Sequence, residues 1–224
     1  RVYLYSAAIG SRAYDAQFGS GIFQSVVTGV HRMIELAAGQ GDTDPDIFFY
    51  HAHGEADAIS GRTAEQYRDD SILWIQRLQL LAAQYLERPA YRAPVFFSMP
   101  IQNKTPTGGS DASNDIAIKH GIKLAADSAD VSDVYILPTY STVVLPEADL
   151  VHPDEASFVR RGEYVGFLIK DYIAGTVYEP LRITSVTRSG ATVTVQFTHG
   201  IVRDATENWG GNLNGVDGFE YFDN

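Results

Sequence analysis

Three short, nearly unbroken apolar runs, separated by segments long enough to be helices, constrain this chain more than any other feature. Ile47-Phe48-Phe49-Tyr50, Val95-Phe96-Phe97 and Val134-Tyr135-Ile136-Leu137 carry no alternating polar positions, and Arg1-Val2-Tyr3-Leu4-Tyr5 adds a fourth strand-like stretch. A strand without a polar face must be covered on both sides, as happens in a parallel sheet whose crossovers are helices. The intervening segments supply those helices. Residues 22–38 place Ile22, Phe23, Val26, Val27, Val30, Ile34 and Leu36 at near-helical spacing, and Gly39-Gln40-Gly41 ends them. Residues 63–86 repeat Ile72, Leu73, Ile75, Leu78 and Leu81 helically before Pro89, and residues 115–127 and 154–174 read as two more helices. The expected fold class is α/β, a parallel sheet with helices on both faces.

From Thr176 onward the texture changes. Arg182-Ile183-Thr184-Ser185-Val186 and Thr192-Val193-Thr194-Val195-Gln196-Phe197, joined by a turn at Arg188-Ser189-Gly190, predict an antiparallel hairpin. The expected division is a main domain over residues 1–177 and a small antiparallel β module over 178–224. Because the chain opens directly on a strand-like segment, further sequence is expected upstream.

Composition narrows the partners. The 224 residues include 45% hydrophobic and 12% aromatic side chains, too many for a disordered chain. A formal charge of −11 opposes nucleic-acid phosphate and anionic membrane as main partners and is compatible with a neutral polysaccharide. There is no cysteine, so disulfides, thiolate metal sites and cysteine nucleophiles are excluded. No apolar run approaches the ~20 residues that span a bilayer, so membrane insertion is not expected.

Polar chemistry gathers just after the predicted strands, where open parallel sheets form their ligand crevice. Asp149-Leu150-Val151-His152-Pro153 places a carboxylate three residues before an imidazole, a spacing that lets one orient the other. His51-Ala52-His53-Gly54-Glu55-Ala56-Asp57 follows the second predicted strand, and Gly10-Ser11 the first. On an extended segment His51 and His53 point the same way, as would Glu55 if the strand continued, and such a cluster could hold zinc or manganese; Gly54 breaks that strand. Glu55 and Asp57 otherwise hydrogen-bond loop backbone. Arg160-Arg161 reads as a solvated helix face, Trp74 as core, and Trp209 as a local packing or sugar-stacking residue.

His53-Gly54-Glu55-Ala56-Asp57 resembles the Gln-Gly-Glu-Ser/Ala-Asp block of sialate O-acetylesterase-like and acetylxylan-esterase-like members of the SGNH hydrolase superfamily. Asp149-Leu150-Val151-His152-Pro153 is similar to the Asp-x-x-His block that closes the triad there, and Ala8-Ile9-Gly10-Ser11 to the block whose glycine amide lines the oxyanion hole. The resemblance covers residues 1–175. It implies a three-layer, flavodoxin-like SGNH fold with His152 as general base and Asp149 as its orienting acid. It also implies Gly10 and His53 as oxyanion donors, with Gly54, Glu55 and Asp57 in support, and no cofactor. Two departures stand out. His53 occupies the place of a glutamine and donates only in a suitable tautomer or when charged. The family's Gly-x-Ser-like nucleophile block has no match: Ser11 reads as a turn or helix-cap residue, Ser6 and Ser98 are weaker still, and the serine is expected upstream of Arg1.

The implied activity is removal of acetyl groups from an O-acetylated polysaccharide by a Ser-His-Asp mechanism. The C-terminal strands resemble add-on modules of phage tail proteins, which implies an extracellular or virion setting and a homotrimer. Two alternatives remain open: a glycan-binding module that keeps the fold without catalysis, and a metal-dependent hydrolase built on His51, His53 and Asp57.

Overall fold

The structure, a computed structural model, describes residues 3–7, 13–19, 21–99, 112–137, 155–176, 183–190 and 192–197. The fold is mixed α/β, with a three-stranded parallel sheet and a two-stranded antiparallel one. By internal contacts the chain divides into two compact units, Arg1–Val165 and Gly166–Asn224.

In the first unit, α1 (Tyr14–Gly19) and α2 (Ile22–Gly39) lead into β1 (Phe49–Ala52). The short α3 (Glu55–Ile59) and the long α4 (Ala64–Tyr85) cross to β2 (Val95–Ser98), and α5 (Ala112–Ala126) crosses to β3 (Val134–Leu137). Strand order is β1-β2-β3, with Phe49 opposite Val95 and Val95 opposite Val134. Helix α6 (Glu155–Ile173) begins in this unit and ends in the next.

Local chemistry accounts for these elements. Helix α4 starts at a capping box: Thr63 Oγ1 accepts from Gln66 N–H (3.2 Å), and Gln66 Oε1 accepts from Thr63 N–H (3.0 Å), so two otherwise orphaned amides are satisfied. Its buried face, Tyr67, Ser71, Trp74, Ile75, Leu78 and Leu81, follows the helical period. That face meets Val95 and Phe97 of β2, Ile118 and Ile122 of α5, and Tyr14 and Ile22 in one core, with Phe49, Val134 and Ile136 packed against it. The other face of β2 carries Phe96, stacked on Tyr135 at 5.3 Å, and Ser98, whose Oγ accepts a hydrogen bond from Arg161 of α6. β2 is buried at all four positions, as its unbroken apolar run predicts.

Three expectations need correcting. Tyr3-Leu4-Tyr5 belongs to a segment, residues 3–7, without regular structure; Leu4 is 88% exposed. β-favouring residues make a strand only where a neighbour pairs with them. Tyr5 instead lays its ring against Gly29 of α2, where any Cβ would collide with it. Second, β1 begins two residues later than the apolar run and alternates between half-buried and exposed. Ile47 stands before the ladder because its N–H and carbonyl are both hydrogen-bonded to the Tyr91 hydroxyl, each at 3.0 Å, and β1 pairs on one side only among the described residues. Third, Arg161 is buried rather than solvated.

The second unit contains the predicted hairpin, β4 (Ile183–Ser189) and β5 (Thr192–Phe197). It pairs antiparallel with Val186 opposite Val195 and an irregularity between Ile183 and Ser185.

Candidate functional site

The carboxyl end of β1 turns abruptly into α3. Gly54 makes the turn with φ 131°, a backbone conformation closed to residues with a Cβ. The turn brings Asp57 back toward His53: Nε2 of His53 lies 3.4 Å from Oδ2 of Asp57, a contact that falls short of hydrogen-bond geometry. His51 and His53 lie on the same side of the extended segment, with ring centroids 5.3 Å apart and planes 27° from parallel.

Aromatic residues from α1 and α4 close around this pair. The Tyr14 ring sits 4.4 Å from His53 and 5.8 Å from His51, and Trp74 and Phe97 also border His51. The Tyr14 hydroxyl bridges His51 Nε2 at 3.1 Å and the Ser71 hydroxyl at 3.2 Å. Tyr67 Oη lies 3.0 Å from His53 Nδ1 and donates to the His53 carbonyl at 3.2 Å. Burial drives the Tyr14 and Tyr67 hydroxyls well above the ordinary phenol range, so both are neutral. Loss of hydration, reinforced by the charge His53 can carry, holds His51 well below the ordinary imidazole range.

Asp57 is fully buried, and its Oδ1 accepts from the backbone N–H of Tyr14 at 3.3 Å. Asp57 therefore does hydrogen-bond backbone, that of the first residue of α1. Its carboxyl is pushed up to about 6, chiefly by burial, against the pull of that N–H and of Arg62, whose Nη1 is 3.7 Å from Oδ1. Arg62 also pairs with Asp15 at 3.1 Å and with Asp70, so one guanidinium faces three carboxylates. Desolvation raises Asp70 as well, although Arg62 opposes it.

Of the residues singled out from sequence, the structure brings together His51, His53, Gly54 and Asp57 and places Glu55 at the first position of α3. Gly10, Ser11, Asp149, His152 and Trp209 lie outside the described residues. Both ring nitrogens of His53 face protein groups, so donation to an oxyanion must draw one of them from its present neighbour. Ser98 is buried at the end of β2 and bonded to Arg161, while Ser6 is exposed. Trp74 is core, as expected. Among the described residues no three histidine, aspartate or glutamate side chains are arranged to hold a metal ion. The nitrogens of His51 and His53 meet Tyr14, Tyr67 and Asp57 instead.

Sequence reading does not find Tyr14, Arg62, Tyr67 and Ser71. The only signal for the last two is their place on the buried face of α4, where small polar and phenolic groups interrupt an aliphatic stripe.

Comparison with known protein families, characterised proteins and solved structures yields no match.

Proposed function

We propose that the chain is an SGNH-type carbohydrate O-acetylesterase. The observation that carries the reading is the strand-to-helix turn at Gly54. It sits at the carboxyl end of a parallel strand, where such sheets hold ligands, and gathers the whole His53-Gly54-Glu55-Ala56-Asp57 block about itself. On this reading a serine attacks an acetyl ester, His152 oriented by Asp149 takes its proton and passes it to the departing sugar hydroxyl, and water activated by His152 then releases acetate from the acyl-enzyme. The substrate is an O-acetylated polysaccharide, and the favoured setting is a trimeric virion tail protein acting outside the cell. No helix among the described residues is long and apolar enough to cross a membrane.

The test is acetate release from O-acetylated polysaccharide, and turnover of a chromogenic acetate ester, by the full-length protein. His152→Ala and Asp149→Asn should each lower turnover by roughly 10³-fold or more while cooperative unfolding is kept. Wild-type activity in His152→Ala ends the assignment. Glycan binding without acetate release favours the non-catalytic module, and activity that EDTA abolishes favours the metal-dependent alternative.

A further inference from the structure

The glutamine of the resembled esterases offers an amide N–H at any pH, whereas an imidazole in its place offers a free N–H only in certain protonation states. The neighbours of His53 decide among those states. Tyr67 has a single hydroxyl hydrogen. Its oxygen lies 3.2 Å from the carbonyl oxygen of His53, which can only accept, and 3.0 Å from Nδ1. The Tyr14 hydroxyl is a further partner of the Tyr67 oxygen; with the Tyr67 hydrogen on the carbonyl, Nδ1 is the donor in its own contact and carries a proton. Nε2 is the ring nitrogen whose protonation remains to be set, and it faces Oδ2 of Asp57.

Charge placement settles it. Two imidazoles stacked at 5.3 Å repel if both are protonated. His53 has a carboxylate at its edge, whereas His51 Nε2 meets a neutral phenol, the Tyr14 hydroxyl. A cation on this pair is therefore better placed on His53 than on His51, against the burial of His53 itself. Asp57 takes up its proton only at about 6, so above neutrality it is available as the counter-charge.

We propose that in the neutral-pH protein His53 is an imidazolium, its Nδ1–H fixed on Tyr67 and its Nε2–H balanced by the Asp57 carboxylate. Asp57 and Tyr67 are thereby positioning residues for the one N–H that His53 can turn toward an oxyanion. The charge state rests on the contacts of His53 with Tyr67 and Asp57 and on an ionised Asp57; the oxyanion role rests on the esterase reading above. Other ionisable groups bear on the pair from every packed element. Arg62 favours the Asp57 carboxylate, while Asp15 of α1, Glu55 of α3 and Asp70 of α4 favour the protonated pair. Tyr14, Tyr67 and His51 are neutral, and α5, packed on α3, carries Lys119 and His120.

The experiment is long-range ¹H–¹⁵N spectroscopy of the histidine rings in the full-length protein at pH 7.5, in wild type and Asp57→Asn, alongside the pH profile of kcat/KM on a chromogenic acetate. Expected are two protonated ring nitrogens on His53 in wild type and a single proton, on Nδ1, in Asp57→Asn. A singly protonated wild-type His53, or an unchanged pattern in Asp57→Asn, overturns the charge assignment. If Asp57→Asn does not fold, the wild-type spectrum decides alone. With esterase activity present, the alkaline limb should move down by about one pH unit in Asp57→Asn, roughly a tenfold loss of kcat/KM on that limb. An unmoved limb removes the positioning role. The doubly protonated pattern in a protein without esterase activity removes the proposed function and leaves the charge assignment standing.

Discussion

The Tyr67 hydroxyl holds His53 at two points, the ring nitrogen Nδ1 at 3.0 Å and the carbonyl oxygen at 3.2 Å. One side chain from α4 thus fixes both the rotamer of His53 and the path of the main chain as it leaves β1. Tyr67→Phe keeps the ring in the core and removes both bonds, leaving a buried carbonyl and a buried imidazole N–H without that partner. The expected cost is about 1–3 kcal/mol, read as a lower denaturation midpoint at unchanged m-value. A Tyr67→Phe protein as stable as wild type would show that water replaces the hydroxyl.

Gly54 is the second point on which the turn depends. At φ 131° a Cβ is strained whatever the space around it, and Gly54→Ala should cost of order 1–3 kcal/mol. Gly21, at φ −65° with open space around its Cα, is the matched control. Gly21→Ala should lie within about 0.5 kcal/mol of wild type. Equal stabilities for the two variants would mean that the β1-to-α3 turn relaxes into another conformation.

Much of this architecture is legible in the sequence, for a physical reason. Val95-Phe96-Phe97 has no polar face and so must lie between two covering layers; α4 shows its period over six turns and is bounded by Thr63 and Pro89. Tyr3-Leu4-Tyr5 misleads because strand propensity says nothing about whether a partner strand is present. The His51–Asp57 block is legible as polar residues after a strand. Its surroundings are not, because Tyr14, Arg62, Tyr67 and Ser71 meet it only through tertiary packing, and Ser71 is 57 residues from the Tyr14 it bonds. Arg161 shows the same limit: two adjacent arginines on a helix look solvated until the sheet beneath one of them offers Ser98.

Asp57 also makes stability depend on pH in a defined direction. Its folded value of about 6 stands above the ordinary 3.8, so between these values the folded protein binds a proton that the unfolded chain does not. This contribution is fully present below about pH 4 and is lost as pH rises through about 6. Asp57→Asn should flatten that part of the profile, by an amount on the order of 2 kcal/mol across the window. Denaturation midpoints measured from pH 4 to 7 check it, and a variant profile parallel to wild type would place the slope on other carboxylates.

Arg62 is the cation on which the acidic cluster relies, since it meets Asp15, Asp57 and Asp70 together. Asp15 is 81% exposed and water screens it, so the effect of losing the guanidinium falls mainly on Asp57 and Asp70. Arg62→Met preserves most of the aliphatic volume and leaves those two carboxylates in a poorly hydrated site without the guanidinium. The expected loss is about 3 kcal/mol at pH 7. It should shrink toward pH 4, where protonation removes the need for a cation. Urea titrations at the two pH values separate this from a packing defect, because lost packing would cost the same at both.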